Sequence, residues 1–255
     1  MKSLSAAELL GVWEQGLTQY PVQRSLSLLA AACPDQSLEQ LGSLSIGQRD
    51  ALLLTLREWM FGTELVSVVY CPSCRDRLEL TFNVGDIRVS SNADLTEVHL
   101  LQIADYHVQF RLPNSLDLTT LIPELVPDLA AVGSIANGTS AQQQLLDRCV
   151  LSIHQGESER AIHDVPATVL DTIVEQMADA DPQADVQLDL SCPLCGHRWQ
   201  STFDIVSFFW SEIHTWANRI VREVHTLASA YGWREADILA MSALRRQLYL
   251  GMVGG

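Results

Sequence analysis

Apolar positions recur every three to four residues over most of the chain, and short alternating runs interrupt that helical period. Ser5-Ala6-Ala7-Glu8 has the form of a capping box ahead of Leu9, Leu10 and Trp13. Pro21 opens a second helix with Leu26, Leu29, Ala30 and Cys33 at helical spacing. Ser45-Ile46-Gly47-Gln48 caps a third, whose Ala51-Leu52-Leu53-Leu54 run with Leu56, Trp59 and Met60 is apolar nearly all round, as in a buried helix; Gly62 ends it. Strand-like alternation follows from Val66 to Val84 and again from Glu97, where a turn near Ala104-Asp105 predicts a hairpin with His99 and His107 as polar outer-face residues opposite one another. Helical spacing returns in an interrupted stretch from Leu118 to Val132 and in a helix from Ser140 with Leu145, Leu146, Cys149, Val150 and Ile153 as its stripe. Asp164 then caps a helix that has Pro166 in its first turn and carries Val169, Leu170, Ile173, Val174 and Met177. Beyond Phe203 lies the most amphipathic stretch, with Phe209, Ile213, Trp216, Ile220, Val224 and Leu227 on one face. Tyr231-Gly232-Trp233 breaks it, and a last helix from about Glu235 carries Ile238, Met241, Leu244 and Leu248.

Four cysteines change this picture of a plain helical chain. Cys71-Pro72-Ser73-Cys74 and Cys192-Pro193-Leu194-Cys195 are one motif written twice, with 117 residues between the copies. Strand-like residues lead into each pair and out of it. Such a turn aims two thiolates to one side, and two turns supply the four sulfurs of a tetrahedral structural zinc. The expectation is one zinc held by Cys71, Cys74, Cys192 and Cys195, with the segment between them clamped by metal. Two separate sites, a redox dithiol and disulfides compete. A redox dithiol favours a cysteine at a helix N-terminus, whereas strand follows each pair here. His197 is the one spare ligand nearby and reads more simply as a solvated turn residue; Cys33 and Cys149 read as core fillers. The predicted fold is α+β, mainly helical, with a four-cysteine zinc-ribbon-like β element split by a long insertion. Its parts are a helical region at 1–64, composite ribbon hairpins at 65–90 plus 186–206, an inserted β-hairpin with helices at 91–185, and amphipathic helices at 207–255.

Composition narrows the function. With 47% hydrophobic and 18% charged residues, the 255-residue chain is globular. Its net charge of −15 opposes general affinity for nucleic acid or anionic membranes, which is the commonest use of zinc ribbons. Lys2 is the only lysine beside fifteen arginines, and the C-terminal 51 residues carry +1 while the other 204 carry −16. No apolar run reaches membrane-spanning length, and no signal-peptide pattern opens the chain, so a cytoplasmic protein with reduced thiols is expected. No phosphate loop, nucleophile elbow or H-E-x-x-H motif is present, and no enzyme or small-molecule substrate is expected. A zinc-ribbon regulatory or nucleic-acid module is the first alternative, and a C-x-x-C dithiol oxidoreductase the second.

Two stretches carry a resemblance. One is Gly47-Gln48-Arg49-Asp50-Ala51-Leu52-Leu53 through Arg57 and Phe61-Gly62-Thr63, followed by a C-P-x-C turn. The other runs from Trp210-Ser211-Glu212-Ile213 through Val224-His225-Thr226-Leu227-Ala228 and Tyr231-Gly232-Trp233-Arg234-Glu235 to Arg245-Arg246-Gln247-Leu248-Tyr249-Leu250. Together they resemble the baseplate hub assembly chaperone family of T-even-like contractile-tailed phages, whose relatives occur with phage-tail-like contractile injection systems. The resemblance implies a non-enzymatic assembly chaperone or structural component, cytoplasmic or incorporated into the assembled particle. Its implied partners are hub, spike or wedge proteins. It makes Trp210, Trp216, His225, Tyr231, Trp233, Arg245, Arg246 and Tyr249 candidates for partner contact. Many members have glycine after the second cysteine of the turn; here Arg75 follows the first pair and Gly196 the second.

Overall fold

In the computed structural model the described residues are 1–89, 98–125 and 138–253; of 122–125 and 138–140 only the backbone is described. The chain divides into two compact units. The first comprises Met1–Leu38, Leu53–Gly62 and Asp204–Gly255, the second Glu39–Leu52 and Thr63–Phe203. The architecture is α+β with helix dominant.

The first unit is helical. It contains α1 (Ala6–Gly16), α2 (Pro21–Ala32), the C-terminal part of α4 (Ile46–Phe61), α9 (Ile205–Tyr231), α10 (Glu235–Leu239) and α11 (Ala243–Val253). The Ser5 side chain accepts from the Glu8 amide and Glu8 answers at the Ser5 amide, completing the expected box. Against α9 pack α1, α2, α10 and α11. Its buried face is Phe209, Ile213, Ala217, Ile220 and Leu227, a heptad-like seam that removes the apolar stripe from water. Gly232, at φ 66°, ends α9 in the left-handed cap conformation. The single last helix expected from Glu235 is instead two, because the chain leaves helical geometry around Ser242.

Among the described residues, Arg57 is the largest fully buried side chain. Its Nε and Nη2 donate to the two carboxylate oxygens of Glu212 at 2.8 and 2.6 Å, and Nη1 donates to the Gly62 carbonyl at 2.7 Å. This fork-to-fork pair explains how a cation sits in an apolar helix.

The second unit holds the N-terminal part of α4, the short α3 (Leu38–Ser43, of which Leu38 falls in the first unit) and, among the described residues, eight strands in three sheets. Helix α3 adds a fourth helix to the three expected in the first 62 residues. Strands β1 (Glu64–Tyr70) and β2 (Arg77–Asn83) form one hairpin; β7 (Gln187–Ser191) and β8 (Arg198–Thr202) form another. Between them in sequence lie α5 (Val84–Ile87), α6 (Ser115–Leu125), α7 (Gly138–Cys149), α8 (Ala167–Ala180) and the sheet β3-β4-β5-β6. That sheet is antiparallel: β3 (His99–Ile103), β4 (Tyr106–Phe110), β5 (Val150–Gln155) and β6 (Ser158–Glu159). Val108, Phe110, Cys149, Ile153, Val169, Ile173 and Met177 make its core with α7 and α8.

Three expectations change here. Val150 and Ile153 belong to a strand, since the helix ends at Cys149 and alternation begins at once. His99 and His107 do not oppose each other: His99 pairs with Phe110 and His107 with Gln102 on one side and His154 on the other. His99 faces inward, stacked on Phe110 at 5.2 Å. Pro166 is the N-cap of α8, and Asp164 lies in the 3-10 turn before it. The part of the interrupted Leu118–Val132 stretch beyond Leu125 lies outside the described residues.

Candidate metal centre

The two C-P-x-C turns adopt one backbone form. Tyr70 pairs with Arg77 and Ser191 with Arg198, so each hairpin closes over six residues. The Cys71 amide donates to the Asp76 carbonyl at 2.9 Å and the Arg75 amide to the Cys71 carbonyl at 2.8 Å. In the second turn the Cys192 amide donates to His197 at 2.8 Å and the Gly196 amide to Cys192 at 2.9 Å. Arg75 and Gly196 occupy the same left-handed position, with φ of 61° and 71°. Only the bend at that residue returns the chain to its strand, and glycine adopts it without a Cβ clash.

These turns bring four free thiols together. Cys71 Sγ lies 3.7 Å from Cys195 Sγ, and Cys74 Sγ lies 3.6 Å from Cys192 Sγ. All four sulfurs fall within 4.8 Å of one another. A tetrahedron with bonds of about 2.3 Å to sulfur has edges of roughly 3.8 Å. The donor set therefore fits one tetrahedral ion, and an all-thiolate set suits a soft or borderline metal such as zinc. In each turn the first cysteine is buried and the second exposed. Cys71 and Cys192 form a small core with Leu78, against which Val69 and Trp199 pack. His197 is not in the group; its ring lies flat against Trp199. Neither pair opens a helix, the setting a redox dithiol exploits.

Cys71 and Cys74 do not ionise together. Burial pushes the Cys71 thiol up, but the Cys74 and Ser73 amides and the neighbouring thiols pull it down to about 7. Cys74 moves the other way: the Asp76 amide lowers it, while burial and the other three thiols raise it to about 12. A bound divalent cation removes this conflict by neutralising the thiolates.

Other residues hold the cluster's flanks. Gln183, buried, accepts from the Val89 amide at 2.8 Å and donates to the Ile87 carbonyl at 3.3 Å. It thus joins the exit of the first hairpin to the approach of the second. Phe82 meets Phe203 edge to face at 5.6 Å between the two hairpins. The Gly47 amide donates to Asp181 at 2.8 Å, and a Cβ on Gly47 would meet that carboxylate at 2.0 Å. Glycine is required there for room. In sequence Gly47 reads as part of the Ser45–Gln48 cap and Asp181 as a solvated residue of a turn-rich linker; the structure instead buries Asp181 against the Gly47 amide. Neither this tie nor the role of Gln183 was legible, because the partners lie 134 and 94 residues away.

The model of the T4 bacteriophage base plate protein family matches residues 8–210. The chain belongs to that family. No curated protein and no solved structure matches it. The baseplate protein is thus a structural component of a phage tail, and its partners are tail proteins. No helix among its described residues is long and apolar enough to cross a membrane.

The contact candidates of the baseplate protein fall into two groups. His225, Tyr231 and Arg245 are exposed, and Trp216, Trp233 and Tyr249 are half-buried. Tyr231 stacks on Trp233 at 4.4 Å, Tyr249 meets Trp233 edge-on at 4.8 Å, and Arg245 lies over Tyr249. Trp210 and Arg246 are instead buried. The Trp210 ring fills the space over Gly16 and beneath the Arg24 guanidinium, and Arg246 pairs with Glu223 at 3.1 Å. Leu244 and Leu248, which share helical spacing with the buried Ile238, are exposed with Met252 at 72%, 59% and 67%.

Proposed function

We propose that the baseplate protein is a non-enzymatic assembly factor for the hub region of a contractile phage tail or contractile injection system, carrying one structural zinc on Cys71, Cys74, Cys192 and Cys195. The family match over residues 8–210 carries this reading. The four-sulfur cluster supports the metal. Zinc would act only structurally, since four protein thiolates leave no position open for substrate. It would tie together hairpins whose ends bracket residues 84–186, so the chain between them behaves as a stapled insertion. The exposed apolar row Leu244, Leu248, Met252, four residues apart on α11, adds to His225, Tyr231 and Arg245 as surface for hub, spike or wedge proteins.

The test is fractionation of tagged protein from producing cells on a density gradient. Recovery in intact particles assigns a permanent baseplate role. Recovery only with free hub, spike or wedge subunits assigns a chaperone role. Absence of tail proteins from both fractions overturns the proposal.

A further inference from the structure

Charge is divided unequally between the two units. The second holds 22 of the 31 acidic residues and eight of the sixteen lysines and arginines, a net −14; the first holds the remaining nine and eight, a net −1. Within the acidic unit lies an apolar cavity of about 210 Å³. Leu145 and Leu146 of α7 form one wall, and Val174, Met177 and Ala178 of α8 form the other, with Asp181 and Asp185 also in its lining. Apolar cavities of about 150 Å³ accept a benzene-sized group, so this one has room for a large side chain.

Helix α8 shows what would lie beside that side chain. Asp171, Glu175 and Asp179 recur every fourth residue and are exposed, next to the cavity wall residues Val174 and Ala178. The helix contains no lysine or arginine, and none of the three carboxylates pairs with a cation among the described residues. Like charges at this spacing repel and destabilise the helix unless a cation approaches. Arg148, the one cation on α7, acts on Asp117.

We propose that this cavity and carboxylate row dock a basic amphipathic helix of a partner protein. One large apolar side chain of the partner enters between α7 and α8. Arginines or lysines four residues apart, rising about 6 Å per step, match the row Asp171, Glu175 and Asp179. The inference rests on the reading of this chain as a component that works through protein contacts.

The experiment measures binding of the full-length protein to three labelled helical peptides of about 14 residues. One carries leucine or phenylalanine anchors beside arginines spaced four apart; the second has glutamate for arginine; the third has alanine for the anchors. The expected result is binding of the first alone, weakened at least tenfold from low to moderate salt. Neutralising the row (Asp171→Asn, Glu175→Gln, Asp179→Asn) and filling the cavity (Ala178→Trp) should each weaken it at least tenfold, with the circular-dichroism spectrum unchanged. Should Ala178→Trp fail to fold, Ala178→Met fills the space more gently and is read the same way. Equal binding of the acidic peptide, no binding of the basic one, or indifference to filling the cavity overturns the proposal. The peptide readout needs no particle, so its failure leaves the gradient experiment to decide the assembly role separately.

Discussion

Arg75 holds a left-handed backbone position that Gly196 holds in the other turn, and this pairing isolates the cost of a side chain there. A non-glycine residue pays about 1–2 kcal/mol for that conformation. Gly196→Ala should therefore lower the melting temperature by several degrees, while Arg75→Gly should leave it equal or slightly higher, because relief of strain offsets the added freedom of the unfolded chain. Thermal melts of the metal-loaded variants check both. A second residue-scale prediction concerns pH. Burial raises the Asp117 pKa, but bonds from Arg111 at 2.7 Å and from the Asn114 amide outweigh it and hold the carboxyl below its ordinary value. A depressed folded pKa stabilises at pH above the unfolded value near ~3.9 and loses that contribution as pH falls through the folded one. The acid limb of the stability curve should thus become shallower in Asp117→Asn, as urea melts between neutral and acid pH would show.

At the scale of elements, helices with complete local signals form where periodicity and caps place them. The Ser5–Glu8 and Ser45–Gln48 boxes both close, because their partners lie within one turn of chain. Strand β5 escaped notice because Val150 and Ile153 also fit the helical stripe of α7, and only pairing with β4 separates the two periods. The aromatic-rich α9 buries one face completely, leaving the exposed row on α11 as the better test of contact. Leu244→Asn with Leu248→Asn should leave the melting temperature within about 1 °C, since neither side chain is buried, yet reduce recovery with tail proteins. An unchanged recovery would remove α11 from the interface. Arg57→Met, by contrast, strands the Glu212 carboxylate and should destabilise by about 3 kcal/mol in denaturant titration.

For the whole molecule, metal is the largest lever. Purified protein should contain about one zinc per chain by elemental analysis, and Cys192→Ser should lose it together with the stability of both hairpins. Structural zinc contributes on the order of 10 kcal/mol in peptides, so a chelator should unfold the second unit first. A fully folded, metal-free protein would reject the structural role. Charge acts at this scale as well: a unit carrying −14 should expand or loosen at low salt sooner than one carrying −1.

The sequence alone determined features whose partners are close along the chain or written twice: capped helices, the alternating hairpins and the two cysteine turns. Spacing and residue type were enough there, because local hydrogen bonds and tetrahedral thiolate chemistry leave few solutions. Tertiary structure decided which apolar stripes were buried and which were surface. Leu244 and Leu248 have the same spacing as core residues, and Trp210 the look of a contact residue, but burial depends on what packs opposite. It also decided the long-range polar ties, Arg57 to Glu212, Gly47 to Asp181 and Gln183 to Ile87 and Val89. A hydrogen bond between residues a hundred apart leaves no periodic trace in one sequence; only the folded chain brings donor to acceptor.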